Sequence, residues 1–314
     1  MRVLELAGGV GGARLAFGLQ AEVGSELTVV VNTGDDTERH GLHVSPDLDS
    51  VMYTLAGIDD PVNGWGIRDE TYAAAEQLGR LGEETWFRLG DRDLASHIAR
   101  TARLRAGGRL SDVTTGLARS LGVRALILPM TDEQVRTMIR TDEGWLEFQE
   151  YFVHRHQEPA VREVRFDGID LAEAPARFRA EIGFAQAIVI APSNPIVSIA
   201  PILEVRDVRT LLATARRAGT PIVAVSPIVG GKAIKGPADR MLASLGHEPT
   251  ALGVARLIAP VATGFVLDAV DAALAPAVQA LGLRTLVTDT LMTDDAARIR
   301  LAREVLAFAR SIRG

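Results

Sequence analysis

At 314 residues, 47% of them hydrophobic and 24% charged, the chain can bury a substantial core as one large domain or two. A formal net charge of −6 without any dense Lys/Arg block gives no electrostatic ground for binding nucleic acid or an acidic membrane. There is no cysteine, which excludes disulfides, thiolate zinc sites and cysteine nucleophiles; no stretch reads as a bilayer span or a cleavable leader, so the expectation is a cytoplasmic protein.

Val3 to Ala7 is a short apolar run that passes straight into Gly8, Gly9, Val10, Gly11 and Gly12 and then into a helical pattern. Glycines at a strand-to-helix turn tolerate positive φ and let the backbone approach a ligand, while the first N–H groups of the helix point at an anion. An isolated turn of this kind often only reverses the chain. Four glycines in five positions point instead to a nucleotide or diphosphate. The spacing argues against the two commonest nucleotide motifs. Arg14 stands where the dinucleotide fingerprint has its third glycine, the second apolar run, Leu27 to Val31, ends in Asn32, and no Lys follows Gly12 as a Walker A loop requires.

After that second strand, Asn32-Thr33-Gly34-Asp35-Asp36 offers a carboxylate pair that either holds Mg²⁺ or forms a solvated turn. Ser45-Pro46-Asp47-Leu48-Asp49-Ser50 enters a helix, with Ser45 or Asp47 as the expected cap and one carboxylate left to face the strand ends. Asp35, Asp36 and Asp47 are therefore the candidate metal ligands. Residues 51–121 form a long excursion, mostly helical in pattern and including Arg68 to Leu78 and Asp93 to Ala106, which reads as a helical insertion or lid. Within it, Trp86 beside Arg88 is a candidate wall for a flat ring.

A strand is expected at Ala125 to Leu128, followed by a second excursion over 131–184. Glu150 to His154 and Ala160 to Phe166 alternate enough to suggest a small antiparallel ribbon, which would put His154 and His156 on one face. With no third ligand nearby, these histidines read as solvated. Further strands are expected at Ala187 to Ala191, Ile222 to Ser226 and Thr285 to Val287. Ser193-Asn194-Pro195 and Ile228-Val229-Gly230-Gly231-Lys232 follow two of them, and Lys232 and Lys235 are candidate phosphate contacts. Asp294 and Asp295 read as the cap of the final helix. Strands alternating with helices describe an α/β fold, a mostly parallel sheet covered on both faces, with residues 1–314 as one core carrying two insertions. In such sheets ligands gather at the carboxyl ends of the strands.

Read in order, AGGVGGARLA, VVNTGDD, HVSPDLDSVMYTLAG, WFRLGDRDLA, APSNPIVSI and SPIVGGKAIKGPADRM resemble the 2-phospho-L-lactate transferase family of deazaflavin coenzyme F-420 biosynthesis. The resemblance runs from Arg2 to about Leu301. It implies a Rossmann-like three-layer core with a smaller helical part, a homodimer, and a reaction joining the deazariboflavin Fo to a three-carbon phosphoacid. The donor is a guanosine diphosphate conjugate of lactate, enolpyruvate or glycerate, Mg²⁺ is required and GMP is released. By the same resemblance Asp49 is the Fo-contacting carboxylate and Arg88 a second Fo contact; Asp49 is then the candidate catalytic residue, to orient or deprotonate the attacking hydroxyl or to help hold the metal. Gly8 to Gly12 (including Val10), Asn32, Ser193, Asn194 and Pro195 belong to the nucleotide site. The competing expectation is a non-catalytic regulator of a related family that binds a nucleotide sugar and needs the phosphate cradle but no Fo contact.

Overall fold

Val3–Ala7 (β1) is buried along its whole length, the pattern of a strand covered on both faces. In the computed structural model, which describes residues 1–313, it is an interior strand of a parallel sheet. The other strands are Leu27–Val31 (β2), Leu126–Pro129 (β3), Ala187–Ile190 (β4), Ile222–Val225 (β5), Gly264–Asp268 (β6) and Arg284–Thr288 (β7). Among the described residues the sheet has seven strands in the order β3-β2-β1-β4-β5-β6-β7, every neighbouring pair parallel. The chain leaves β1 toward β2 on one side and returns to β4 on the other. That reversal opens a crevice between the carboxyl ends of β1 and β4.

Alternate residues of β1 serve opposite faces of the sheet. Leu4 and Leu6 pack into a cluster with Phe178, Leu212 and Val254, while Val3 and Ala7 pack with Leu15, Leu19, Val51 and Val305 on the other face. The result is the three-layer α/β arrangement expected from the sequence. Val10–Val23 (α1) and the helix Asp295–Ser311 cover the second face, crossing where Gly18 lets the Arg298 carbonyl reach the α1 backbone. Asp294 caps that last helix through the Ala297 N–H at 2.8 Å, as expected. Among the described residues no helix is long and apolar enough to cross a membrane.

Strand β6 is the strand of this sheet that the sequence reading left out. It follows the apolar helix Ala251–Ile258 closely and is itself buried throughout, so apolar composition does not separate the two. Pairing with β5 and β7 does.

The first insertion is helical: Pro46–Ala56 (α2), Ala73–Arg80 (α3), Asp91–Arg105 (α4) and Leu110–Ser120 (α5). Helix α3 begins five residues later than the pattern Arg68 to Leu78 suggested. Asp69 has a left-handed φ of 55°, and the first N–H groups of the helix, from Ala73 and Ala74, are taken by the Asp91 carboxylate.

The second insertion does contain antiparallel strands, three rather than two: Gly144–Glu147, Arg136–Thr141 and Glu163–Asp167 in that order. Glu150–His154, expected as a strand, is instead one turn of π-helix. Burial of Tyr151 against Ile139, Phe148 and Val161, and the Glu150–His154 contact at 2.9 Å across one turn, favour helix there. His154 and His156 therefore share no strand face, and His156 has a turn conformation at φ 49°.

Candidate active site

The crevice beyond β1 and β4 is a cavity of about 540 Å³. Its floor is the glycine turn, whose glycines serve close approach rather than unusual dihedrals. None of Gly8, Gly9, Gly11 and Gly12 has positive φ. A Cβ on Gly8 would stand 2.5 Å from that of Ser198, one on Gly9 would stand 2.6 Å from an Asp47 oxygen, and one on Gly11 would overlap the Pro192 carbonyl. Gly12 packs on Ala7, where a Cβ would be 2.7 Å from the alanine's own. The turn is tied to the loop after β4 by the Gly8 N–H, which donates to the Ser193 hydroxyl at 3.0 Å. Asn194 uses its side-chain oxygen to cap the turn Pro195–Ile199, accepting from the Ile196 N–H at 2.9 Å. Gly9, Val10, Gly11, Ser193 and Asn194 line the cavity; Gly8, Gly12, Asn32 and Pro195 lie behind its wall.

The acidic wall follows β2. Asn32 turns its oxygen to the Gly34 N–H at 2.9 Å and its amide to Asp47 at 3.1 Å, joining the two acidic segments. Asp35 and Asp47 face the cavity. Asp36 does not: the hairpin Thr37–Arg39/Leu42–Val44 brings His43 to 3.0 Å and the Ser45 hydroxyl to 2.7 Å of its carboxylate. This corrects the grouping of Asp36 with the candidate metal ligands, and also the expected capping, because Ser45 spends its hydroxyl on Asp36 and neither Ser45 nor Asp47 caps α2. Burial and then the Asp47 charge push Asp35 well above the usual carboxylate range, and one Asp35 oxygen has no hydrogen-bond partner. Burial likewise pushes Asp47 up to about 7, against the Asn32 hydrogen bond that favours its charged form. A buried and a half-buried carboxylate at one cavity wall, the buried one with an orphaned oxygen and neither ion-paired to a basic side chain among the described residues, form the hard oxygen donor set that suits Mg²⁺.

Asp49 sits two residues further along α2, on a different side of the helix from Asp47. Both its oxygens accept from Arg100, one at 3.0 Å, and His97 Nδ1 lies 3.6 Å away. Arg100 is 0% exposed. It also donates to His97 Nδ1 at 3.2 Å, so that nitrogen is the acceptor and the other ring nitrogen, 3.2 Å from Asp93, carries the proton. Tyr53 completes the network by donating to Asp93 at 2.7 Å. Asp49, Asp93 and His97 bring ligand atoms within 4.8 Å of one another, as a metal site would, but the Arg100 guanidinium already supplies the positive charge there. Sequence reasoning missed Asp93, His97 and Arg100. Their signal was the i, i+4, i+7 spacing, which places all three on one face of α4.

Arg88 reaches the cavity from the loop before α4, with its guanidinium 4.1 Å over the Tyr72 ring. Trp86 lines the cavity beside Arg88, its ring held by the Arg39 guanidinium at 4.2 Å and the His154 ring stacked at 4.7 Å. A second flat surface comes from a pair that the sequence did not reveal, Phe148 and Phe152, whose rings stack at 5.3 Å. Lys235 faces the cavity, whereas Lys232 is solvated, 83% exposed and 3.9 Å from Asp239.

The family model for 2-phospho-L-lactate transferase CofD matches residues 3–294. The phosphoenolpyruvate transferase of Streptomyces griseus is 41% identical over 320 residues, covering 100% of both chains. That of Streptomyces coelicolor is 42% identical over 321 residues, covering 100% of this chain and 99% of the relative. The 2-phospho-L-lactate transferase of Methanopyrus kandleri is 38% identical over 318 residues, with coverage of 100% and 99%. Among solved structures, a UPF0052 family protein from Bacillus halodurans superposes with a TM-score of 0.65 at 14% identity, covering 97% of this chain and 99% of that one, a likeness of fold.

Proposed function

Because this chain belongs to the 2-phospho-L-lactate transferase CofD family and is a transferase, we propose that it acts in coenzyme F-420 biosynthesis, joining Fo to a three-carbon phosphoacid taken from its guanosine diphosphate conjugate and releasing GMP. The observation that carries this reading is the division of one cavity into a glycine-lined floor, an acidic wall and an aromatic end. A transfer between a nucleotide donor and a flat tricyclic acceptor needs all three. The bacterial relatives above are named phosphoenolpyruvate transferases, so the enolpyruvyl conjugate is the first donor to test.

In this reading the Gly9–Gly11 turn and the start of α1 receive the diphosphate, and Ser193 holds that turn in place. The Phe148–Phe152 pair and Arg88 border the place of the deazaflavin ring. Asp49, with both oxygens fixed by Arg100, accepts the hydrogen bond of the attacking ribityl hydroxyl, orients it toward phosphorus and takes its proton as the new O–P bond forms and the bond to GMP breaks. Asp35 and Asp47 would hold Mg²⁺, which supplies charge neutralisation at the diphosphate as GMP leaves.

The test is GMP release by the purified chain given Fo, each three-carbon conjugate in turn, and Mg²⁺. Asp49→Asn is expected to lower kcat/KM by about 10²-fold or more, the range for loss of a positioned acid–base group. A folded wild type that releases no GMP from any conjugate overturns the proposal.

A further inference from the structure

Besides Arg88, which lies over the Tyr72 ring, two basic side chains face the cavity without an ion-paired acidic partner. Arg14 lies one turn into α1, so its side chain, tilted toward the helix N-terminus, returns to the glycine turn. Among the described residues it lines the cavity and makes no side-chain hydrogen bond and no ion pair, which leaves its guanidinium donors unspent. Lys235 lines the same cavity from a distant segment of the chain, after the Ile228–Ala233 hairpin. Its ammonium spends one donor on the Asn63 carbonyl at 2.9 Å and keeps two.

These charges stand together rather than apart. Burial lowers the pKa of Arg14 and the Arg298 charge lowers it further, against the opposing pull of Asp59; burial and then the Arg14 charge lower that of Lys235. Part-buried like charges that repel each other are poorly arranged for stability and well arranged to receive an anion. The acidic wall of Asp35 and Asp47 and the aromatic pair of Phe148 and Phe152 occupy other parts of the same cavity.

We propose that Arg14 and Lys235 form a two-sided clamp on an oxyanion of the donor, closing on it over the glycine turn. The identity of the donor rests on the transferase reading above, but the clamp itself is tested by binding alone. The oxyanion has two sources in such a donor, its diphosphate and the carboxylate of the three-carbon acid.

The experiment uses the full chain with Arg14→Gln and Lys235→Gln, titrated calorimetrically with GDP and with inorganic diphosphate, and assayed for the KM of the conjugate by GMP release. A clamp on diphosphate weakens GDP binding by about tenfold or more in each variant, with Arg14→Lys recovering part of it. Unchanged GDP affinity with a conjugate KM raised about tenfold assigns the clamp to the carboxylate. Wild-type GDP affinity together with wild-type KM in both variants overturns the proposal. The unliganded melting temperature of Arg14→Gln should not fall below wild type, because one of several repelling charges has gone; a clear fall would mark Arg14 as a structural residue and also overturn it. A wild type that binds GDP yet releases no GMP removes the transferase reading and leaves the clamp to be judged by the binding arm. A wild type that binds neither GDP nor diphosphate removes the clamp.

Discussion

Gly11 shows how one missing side chain shapes the cavity. Its Cα faces the Pro192 carbonyl so closely that a methyl group would overlap a backbone oxygen that cannot swing away. Gly11→Ala should therefore separate the glycine turn from the loop after β4. The expected cost is about 1–3 kcal/mol, the usual range for overpacking, read as a lower melting temperature together with weaker nucleotide binding. Glu5 is the opposite case, a residue too polar for its place. It stands on the interior strand β1, 0% exposed, with neither carboxyl oxygen hydrogen-bonded. Burial holds its carboxyl well above the ordinary range, so the folded state favours the neutral form. Because the unfolded chain titrates normally, the stability tied to this group is complete below the ordinary carboxylate pKa and is lost as pH rises through the higher folded value. Glu5→Leu is expected to raise the melting temperature, by more at about pH 8 than at about pH 5; a variant that melts below wild type at both would show that Glu5 has a partner.

At the scale of elements, what the sequence could show depended on where each element finds its partners. Strands β1 and β2 were legible because each ends abruptly in glycine or Asn beside an apolar run of strand length. Strand β6 was not, since hydrophobicity is continuous across its start and only its neighbours identify it. Helix α3 takes its first-turn cap from Asp91, beyond its own C-terminus, a contact no local pattern encodes. The packing of α1 against Asp295–Ser311 turns on Gly18, where the Arg298 carbonyl occupies the space of a Cβ. Gly18→Ala gains intrinsic helix propensity of about 1 kcal/mol, yet it must push two backbones apart. The net expectation is destabilisation in a denaturant melt, and a variant more stable than wild type would mean that the two helices separate without cost.

The whole molecule couples its acidic wall to solution conditions. Asp47 has a folded pKa raised to about 7, so its contribution to stability is full below the ordinary carboxylate range and declines as pH rises through about 7. The metal-free protein should therefore lose stability between about pH 6 and about pH 8. A divalent ion bound to the ionised pair reverses that loss, so Mg²⁺ should raise the melting temperature more at the higher pH and EDTA should abolish the difference. An equal Mg²⁺ effect at both pH values, or none, would count against Asp35 and Asp47 as its holders. Aspects of this wall were visible in Asn32-Thr33-Gly34-Asp35-Asp36, but adjacent residues can face opposite ways. Asp35 turns to the cavity and Asp36 to His43 and Ser45, a division made by the hairpin that folds back between them.

By itself the sequence determined the α/β class, the glycine turn after β1 and the placing of Asp49 and Ser193 near strand ends, because each depends on a local run and its punctuation. The tertiary structure decided which charges meet. Arg100 on Asp49, Lys235 near Arg14, and the Phe148–Phe152 pair brought to the cavity of the glycine turn all join segments far apart in the chain. The physical reason is that a side chain's partner, and so its charge, orientation and use, is set by packing between elements, whereas composition and periodicity report only the element to which it belongs.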